Sequence, residues 1–332
     1  MVLRSVQNYH GSFCGKPVIK WRSLVVFSQN EDLFGVFSTH VMRQIILLLL
    51  VFSLFQLAPA LFGQTSDDGL RAELEPVYLK WRESMIRRDA QTWAATITRY
   101  RQTVIRNSVV SERQPYPDAV FKSEVQPPAL DGLRLLEAQA VGLTAHLVYF
   151  GKINMGQDKD LVLDNILKLK FYRENGVWKY DSNRISRLDS APEVRKALQE
   201  GKRPDFLDEP DYTPPGNMPP PPPLCRIPDH KAGYKLQSLG YQTSVSMNGF
   251  DHDSIQDGLD QQILIGGLVN GHNEITLNIK PVPVPQGEKA SLQFRVYIIS
   301  NDPSIPGKEV LRWQAPETGA PAKITLPIDI KP

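Results

Sequence analysis

Two side chains in residues 66–203 are of types that transfer protons in enzymes. His146 is the only histidine of this stretch and lies in a predicted strand, and Asp181 lies in a second predicted strand. General acid or base catalysis would require either group beside another titratable side chain in a dry pocket. The spacing does not demand such a pocket, so a surface or hydrogen-bonded structural histidine is the alternative.

A second set of candidates is acidic and lies in residues 250–262. The oxygens of its carboxylates are ligands that calcium prefers. The EF-hand pattern is excluded, because Ile255 occupies its fifth position and Gln262 its twelfth. A calcium site of another kind and a solvated acidic loop both remain open. The four candidates are Asp251, Asp253, Asp257 and Asp260. No motif for a nucleotide or another cofactor is present, and we expect none.

Aromatic and basic side chains offer two further hypotheses. Tyr78, Trp81 and Trp93 could line a pocket, although aromatic residues at helical spacing are more often plain core. A series of arginines suggests an anion site, and a solvated basic face is its alternative. The series consists of Arg99, Arg101, Arg106 and Arg113.

The elements that would position these residues begin with a helix. Apolar side chains recur at three and four residues and predict one buried stripe, formed by Leu70, Leu74, Val77, Trp81 and Met85. Asp89 is predicted to end this helix and to cap a second helix carrying Trp93, Ile97 and Tyr100. Strands are then predicted at 133–138 and 141–150. A hairpin follows at 161–185, because Asn175 and Gly176 can adopt the positive φ angles of a tight turn.

This layout of helices followed by an antiparallel meander is of the α+β class. Together with the sequences IRRDAQTW and FYRENGVWKYDSNRI, it resembles the nuclear transport factor two-like, or cystatin-like, cone fold over residues 66–188. The resemblance implies a curved sheet wrapped on the long helix around a conical pocket. Some members of that superfamily use the pocket for isomerase, dehydratase or hydrolase chemistry, and many use it for binding, so the fold alone assigns no activity.

Residues 204–232 separate this region, 66–203, from a second one. Ten prolines between 204 and 228 exclude a helix or a sheet interior, and a semi-rigid polyproline spacer is expected. A PxxP ligand role is the alternative, and the spacer is favoured because the usual readers of PxxP segments are intracellular whereas this chain is expected to be exported. From 233 to 332, short alternating runs and turn signals predict an all-β sandwich domain. Residues 268–277 are similar to a loop-and-strand signature in galactose-binding-like and some immunoglobulin-like domains.

Residues 42–63 resemble a secretory signal peptide, with Arg43 before an apolar run at 45–57 and small residues after it. Translation is expected to start at Met42, leaving 1–41 untranslated or disordered. An uncleaved anchor at 45–62 is the alternative, and only then do we expect a membrane association. The rest, 64–332, carries 33 basic and 34 acidic side chains, so no nucleic-acid partner is expected.

Two properties of the exported part bear on its assembly. Residues 64–203 have a net charge of +4 and 204–332 a net charge of −5, so the two halves either dock or present solvated surfaces. Cys225 is the only cysteine after residue 63, which excludes an internal disulfide there and leaves a free thiol or a bond between chains.

These observations favour a secreted or periplasmic, non-catalytic protein that binds a partner protein, a glycan or an envelope component. No nucleophile, metal or phosphate motif is present, whereas two domains joined by a proline-rich segment are predicted. The alternative is a small-molecule lyase, isomerase or hydrolase that uses His146 and Asp181 in a pocket of the cone-like domain.

Overall fold

The structure is a computed structural model that describes residues 67–123, 125–154, 163–300, 302 and 304–331. The expected signal segment and the residues before it lie outside these ranges. The described residues all belong to one compact unit. Within them, no helix combines the length and the apolar character needed to cross a membrane.

The helices of the described part flank a four-stranded sheet. Of the stripe predicted from spacing in α1, Leu70, Leu74 and Trp81 are buried and Val77 and Met85 are partly buried. Tyr78, which the stripe did not include, is fully inaccessible to solvent. Asp89 ends α1 and caps α2, because its carboxylate accepts hydrogen bonds from the backbone amides of Gln91 and Thr92. The α-helices are α1 (Asp67–Arg87), α2 (Ala90–Thr96), α3 (Arg99–Ser111) and α4 (Pro192–Gln199).

The predicted second helix is broken into two. Ile97 has an extended backbone, with φ −94° and ψ 152°, and forms a parallel bridge to Tyr180. The amide of Thr98 donates to the carbonyl of Tyr180 at 2.9 Å, and the Thr98 hydroxyl caps α3. A contact to a strand 80 residues away therefore decides where α2 ends, and no local signal predicts it.

The first sheet is antiparallel, with its strands in chain order. Asn175 and Gly176 have φ angles of 52° and 81°, so the predicted hairpin turn is present. One face packs on α1 through Leu147, Leu167 and Leu169. The other face is covered by α4 and by the turns at Asp205–Asp208 and Pro210–Tyr212. The strands are β1 (Arg134–Val141), β2 (Thr144–Ile153), β3 (Leu163–Glu174) and β4 (Val177–Ser186).

The second half of the chain forms a seven-stranded antiparallel sheet that nearly closes like a barrel. The first half of β5 pairs with β9 and its second half with β8. Gly240, with φ 77°, lies where the partner changes. The strands are β5 (Ala232–Met247), β6 (Phe250–Asp251), β7 (Ile255–Ile263), β8 (Gly271–Pro281), β9 (Ser291–Ile298), β10 (Lys308–Gln314) and β11 (Lys323–Ile330).

The acidic stretch that was expected to be a loop forms most of β7. Its residues pair with 233–243 of β5 through a register shift. Without β7, the backbone donors and acceptors along one edge of the long strand β5 would have no partners. Pairing with β5 therefore explains why a stretch as polar as β7 forms a strand. Along the chain, helices with an antiparallel sheet come first and strands alone follow. This order is compatible with the expected α+β and all-β organisation.

The proline-rich segment is attached to the rest of the molecule instead of extending freely as a spacer. In its middle, the amide of Leu143 donates to the Gly216 carbonyl at 2.8 Å, and the Gly216 amide donates to the Thr144 hydroxyl at 2.9 Å. Near its end, Cys225 is 3% exposed and contacts α3. The expectation of an extended chain is wrong for the first part of the segment, because Asp205–Asp208 and Pro210–Tyr212 form short 3-10 helices that pack on the first sheet. The later part is held at Gly216 and Cys225.

The two halves of the chain contact each other directly after α3. The Gly266 amide donates to the Ser111 hydroxyl at 2.7 Å, and Lys231 forms a buried ion pair with Glu112 at 3.1 Å. In this ion pair the positive side chain, Lys231, belongs to residues 204–332, the half whose net charge is negative. Specific hydrogen bonds, and not the opposite net charges of the halves, account for this contact.

Candidate binding surface

His146 lies in β2 on the sheet face that is turned away from α1. Its side chain is 4% exposed, and its Nε2 lies 3.1 Å from Oε2 of Glu137. The other oxygen of Glu137 accepts a hydrogen bond from Arg203 at 2.9 Å. This chain of contacts ties β1 and β2 to the segment that covers the sheet.

Asp181 is buried in β4 and joins that strand to the start of α3. Its carboxylate accepts hydrogen bonds from the Thr98 hydroxyl at 2.8 Å, from Arg101 at 3.0 Å and from the Ser182 hydroxyl at 2.8 Å. Strand β3 separates Asp181 from His146, and the two side chains share no hydrogen-bond partner. The structure does not bring the two candidate catalytic residues together.

Tyr78, Trp81 and Trp93 belong to the hydrophobic core of the first sheet and its helices. The ring of Trp81 lies 4.1 Å from that of Tyr180, and Tyr78 lies 5.6 Å from Trp81. Burial raises the pKa of Tyr180 well above its ordinary value. The rings of Tyr78 and Trp81 lie between α1 and the sheet, and the ring of Trp93 packs on those of Tyr116 and Phe121.

The four acidic candidates have separate surroundings. Asp260 is buried and accepts a hydrogen bond from the Tyr234 hydroxyl at 2.6 Å, and burial followed by this bond raises the pKa of Tyr234. Asp257 accepts from the Gly240 amide at 2.6 Å, whereas Asp251 and Asp253 are exposed. Across the described ranges, no three His, Cys, Asp or Glu side chains are placed to hold a metal ion.

Two adjoining cavities lie on the second half of the chain, at the turn between β5 and β6. The larger has a volume of about 450 Å³ and the smaller of about 270 Å³, and both are lined by Asn248 and His272. The larger cavity is further lined by Leu224, Cys225, Arg226, Phe250, Gly266 and Val269. The smaller one is completed by Ser246, Gly249, Glu274 and Thr276. We call the two cavities together the groove.

His272 is the titratable side chain that both parts of the groove share. Its Nδ1 lies 3.0 Å from Asp329, and its Nε2 lies 3.3 Å from Glu274. Hydrogen bonds to Asp329 and then to Glu274 raise the pKa of His272 above its ordinary value. At the groove, His272, whose protonated form is favoured, therefore lies beside the carboxylates of Asp329 and Glu274. The amide of Asn248 lines the same cavities.

One wall of the groove belongs to the end of the proline-rich segment, residues 219–228, which we call the proline ridge. The Asn107 side chain of α3 donates to the Pro223 carbonyl at 2.8 Å and accepts from the Cys225 amide at 3.0 Å. Arg106 donates to the Cys225 carbonyl at 3.0 Å. These contacts fix the backbone of the ridge against α3.

The arginine series has structural contacts that neither earlier hypothesis included. Arg106 binds the proline ridge, and Arg113 donates to the Asp229 carbonyl at 2.8 Å. Arg101 pairs with Asp181, and the Arg99 amide donates to Glu174 at 2.8 Å. All four contacts join residues that are at least 75 positions apart in sequence, which explains why the series could not be interpreted from spacing alone.

Comparisons with protein-family models, with curated proteins and with solved structures gave no match. The groove is therefore interpreted from its own geometry. Sequence reasoning missed it because its lining comes from 224–226, 246–250, 266–269 and 272–276, which only the fold brings together. Asn248 and Gly249 are a local signal at this place, because such a pair predicts a turn that ends a strand, but it does not indicate a cavity.

Proposed function

We propose that this protein is a non-catalytic binding protein whose ligand site is the groove on its second half. The observation that carries the proposal is the pair of adjoining cavities that share Asn248 and His272. The candidate catalytic residues give no comparable support, because His146 and Asp181 belong to separate hydrogen-bond networks. A concave site with a few convergent polar groups is the usual form of a ligand site.

The groove favours a partner with both polar and apolar groups, such as a protein segment, a glycan or another envelope component. Its amide, hydroxyl and carboxylate groups can exchange hydrogen bonds with hydroxyl or peptide groups. Phe250 and Val269 add apolar surface on the side of the larger cavity. No step of this proposal requires a cofactor.

We further propose the finer fold classes that the sequence suggests. The first half is a nuclear transport factor two-like cone domain, which is supported by α1 lying along one face of a four-stranded antiparallel sheet. The second half is a β-sandwich of the immunoglobulin-like or galactose-binding-like kind. Its support is the exchange of partners along β5, which divides the strands into two groups around one core.

Export to the periplasm or the cell exterior is part of the same proposal. It rests on the order of basic residue, apolar run and small residues in 42–63. N-terminal sequencing of the protein recovered outside the cytoplasm tests it, with a first residue near Leu61 or Gln64 expected. A chain that retains Met1 would contradict cleavage and favour the anchor.

The binding proposal is tested by probing the purified, processed protein with a glycan array and a peptide library. We expect at least one class to bind, and His272→Ala and Glu274→Gln to weaken that binding by about tenfold, the effect of losing one or two hydrogen bonds. Glu288→Gln is the matched control, since Glu288 is exposed and lines neither cavity. Binding that is equal in all variants, or absent from both probes, would overturn the proposal.

A further inference from the structure

The proline ridge has a three-residue pattern of burial. Residues 219 and 222 are partly buried and residues 225 and 228 are buried, whereas every residue between them is exposed. A polyproline II helix has three residues per turn, so these four positions form one side of it. Proline fixes its own φ near −65° and also restricts the residue before it to extended conformations, which imposes this helix on 218–223.

Two sides of this helix face solvent. One, the basic side, carries Pro220, Pro223 and Arg226, and the other, the aliphatic side, carries Pro221, Leu224 and Ile227. A groove on another protein contacts a polyproline II helix from one direction only. The burial of the inner side against this chain therefore leaves room for such a contact.

We propose that the two outer sides of the proline ridge are a docking site for a partner protein. The partner would have a groove lined by aromatic side chains, with a carboxylate placed opposite Arg226. The inference rests on the proposed binding function and names the kind of partner. Aromatic-lined grooves recognise proline-rich segments because these segments are already extended before binding.

The aliphatic side supplies apolar surface for that contact. Leu224 is 64% and Ile227 is 68% exposed, and they are the two most exposed large apolar side chains of the described residues. Their backbone is held in place, so neither can turn inward without breaking the contacts of Cys225. Apolar side chains kept at the surface in this way commonly mark interaction sites.

The basic side supplies the charge. Arg226 is the only basic residue of 204–228, and its exposed side chain has no ion pair among the residues that the structure describes. Four acidic side chains of the segment lie at its other end, between 205 and 211. An exposed guanidinium beside apolar side chains is complementary to a carboxylate at the rim of an aromatic groove.

The ridge is also ordered before any partner binds. Gly216 is bonded to the start of β2, Asn107 and Arg106 hold residues 223–225, and the His230 amide donates to the Leu268 carbonyl at 2.9 Å. A segment fixed at three places loses little conformational entropy on association. This favours recognition of the ridge as part of the folded protein.

The test uses purified SH3, WW and EVH1 domains in vitro as model aromatic-lined grooves, irrespective of the compartment of the natural partner, and measures their affinity for the processed protein by fluorescence anisotropy. At least one of these aromatic-groove domains is expected to bind. Leu224→Ser and Ile227→Ser should each weaken that binding by about tenfold, from the lost apolar contact. Arg226→Glu should have a similar effect, of about tenfold, by placing a carboxylate against a carboxylate.

Leu259→Ser and Lys280→Glu are matched controls, because Leu259 is 56% exposed, Lys280 is exposed, and neither belongs to the ridge or lines the groove. The inference is overturned if no probe domain binds, or if ridge and control variants weaken binding equally. If glycans or peptides bind in a way that depends on His272 but the probe domains do not bind, this inference is wrong and the proposed function stands. A loss of all binding would remove the proposed function as well.

Discussion

Replacement of Asn107 by alanine should release the proline ridge. The Asn107 side chain is 3% exposed and holds the Cys225 amide and the Pro223 carbonyl at 3.0 and 2.8 Å. A buried amide left without a partner costs about 1–3 kcal/mol, and the second lost hydrogen bond adds about 1 kcal/mol. We therefore expect the free energy of releasing the ridge to fall by about 2–4 kcal/mol.

Limited proteolysis measures this release at one bond. Trypsin can cut after Arg226 only when Cys225 leaves its buried position, so the cleavage rate reports the population of the released form. A change of about 2 kcal/mol corresponds to about 30-fold faster cleavage, since each 1.4 kcal/mol is tenfold. The cut between Arg226 and Ile227 can be followed by mass spectrometry.

Asn217→Ala is the control for this experiment, because Asn217 lies in the same segment and is exposed. Its cleavage rate after Arg226 should equal that of the wild-type chain. If Asn107→Ala is cut at this bond no more than about twofold faster than the control, Asn107 does not hold the ridge and the energetic reasoning from hydrogen bonds is refuted.

Three further changes test the packing in the two halves of the chain. Burial and two neighbouring cations lower the pKa of Lys168 from 10.5 to about 8. Between these two pH values the unfolded chain binds more protons than the folded chain, so this group should increase the free energy of unfolding as the pH rises from 8 to 10. Lys168→Met should remove that increase, as measured by urea unfolding. Tyr234→Phe should lower the unfolding free energy by about 1–3 kcal/mol, because buried Asp260 loses a hydrogen bond of 2.6 Å. Gly240→Ala should lower the thermal midpoint, because φ is 77° and the added carbon would lie 2.3 Å from Val284.

Each of these three substitutions has a control substitution that lacks the feature to which the effect is attributed. Lys152→Met removes an exposed lysine of the neighbouring strand β2, which is not among the cations that lower the pKa of Lys168, and should leave the rise in stability with pH in place. Tyr297→Phe removes a partly exposed hydroxyl and should cost less than Tyr234→Phe. Gly249→Ala shares the positive φ of 86° without any atom near the added carbon, so a loss as large as that of Gly240→Ala would argue against the close contact as the cause.

The elements predictable from sequence are those with local causes. Helix α1 follows from its apolar stripe, and the turn between β3 and β4 follows from Asn175 and Gly176. The break between α2 and α3 depends on Tyr180, and β7 depends on β5, so neither could be predicted from its own composition. Propensity sets a preference that such distant partners override.

The candidate site depends even more on distant contacts. Five successive prolines predict an extended helix, but they do not determine which of its three sides faces inward. That choice is made by Asn107, more than a hundred residues earlier in the chain. His146 and Asp181 have the residue types of a catalytic pair, and only their positions in β2 and β4 show that they have different partners.

Cys225 has a use that follows from its position on the inner side of the ridge. It is the only cysteine of the described residues, its thiol is free, and it is 3% exposed. A thiol reagent applied to the native protein must therefore wait until the ridge separates from α3. The rate of its reaction, compared with that of an unfolded peptide, would measure how often the ridge detaches in the unmodified molecule, and added partner should slow it.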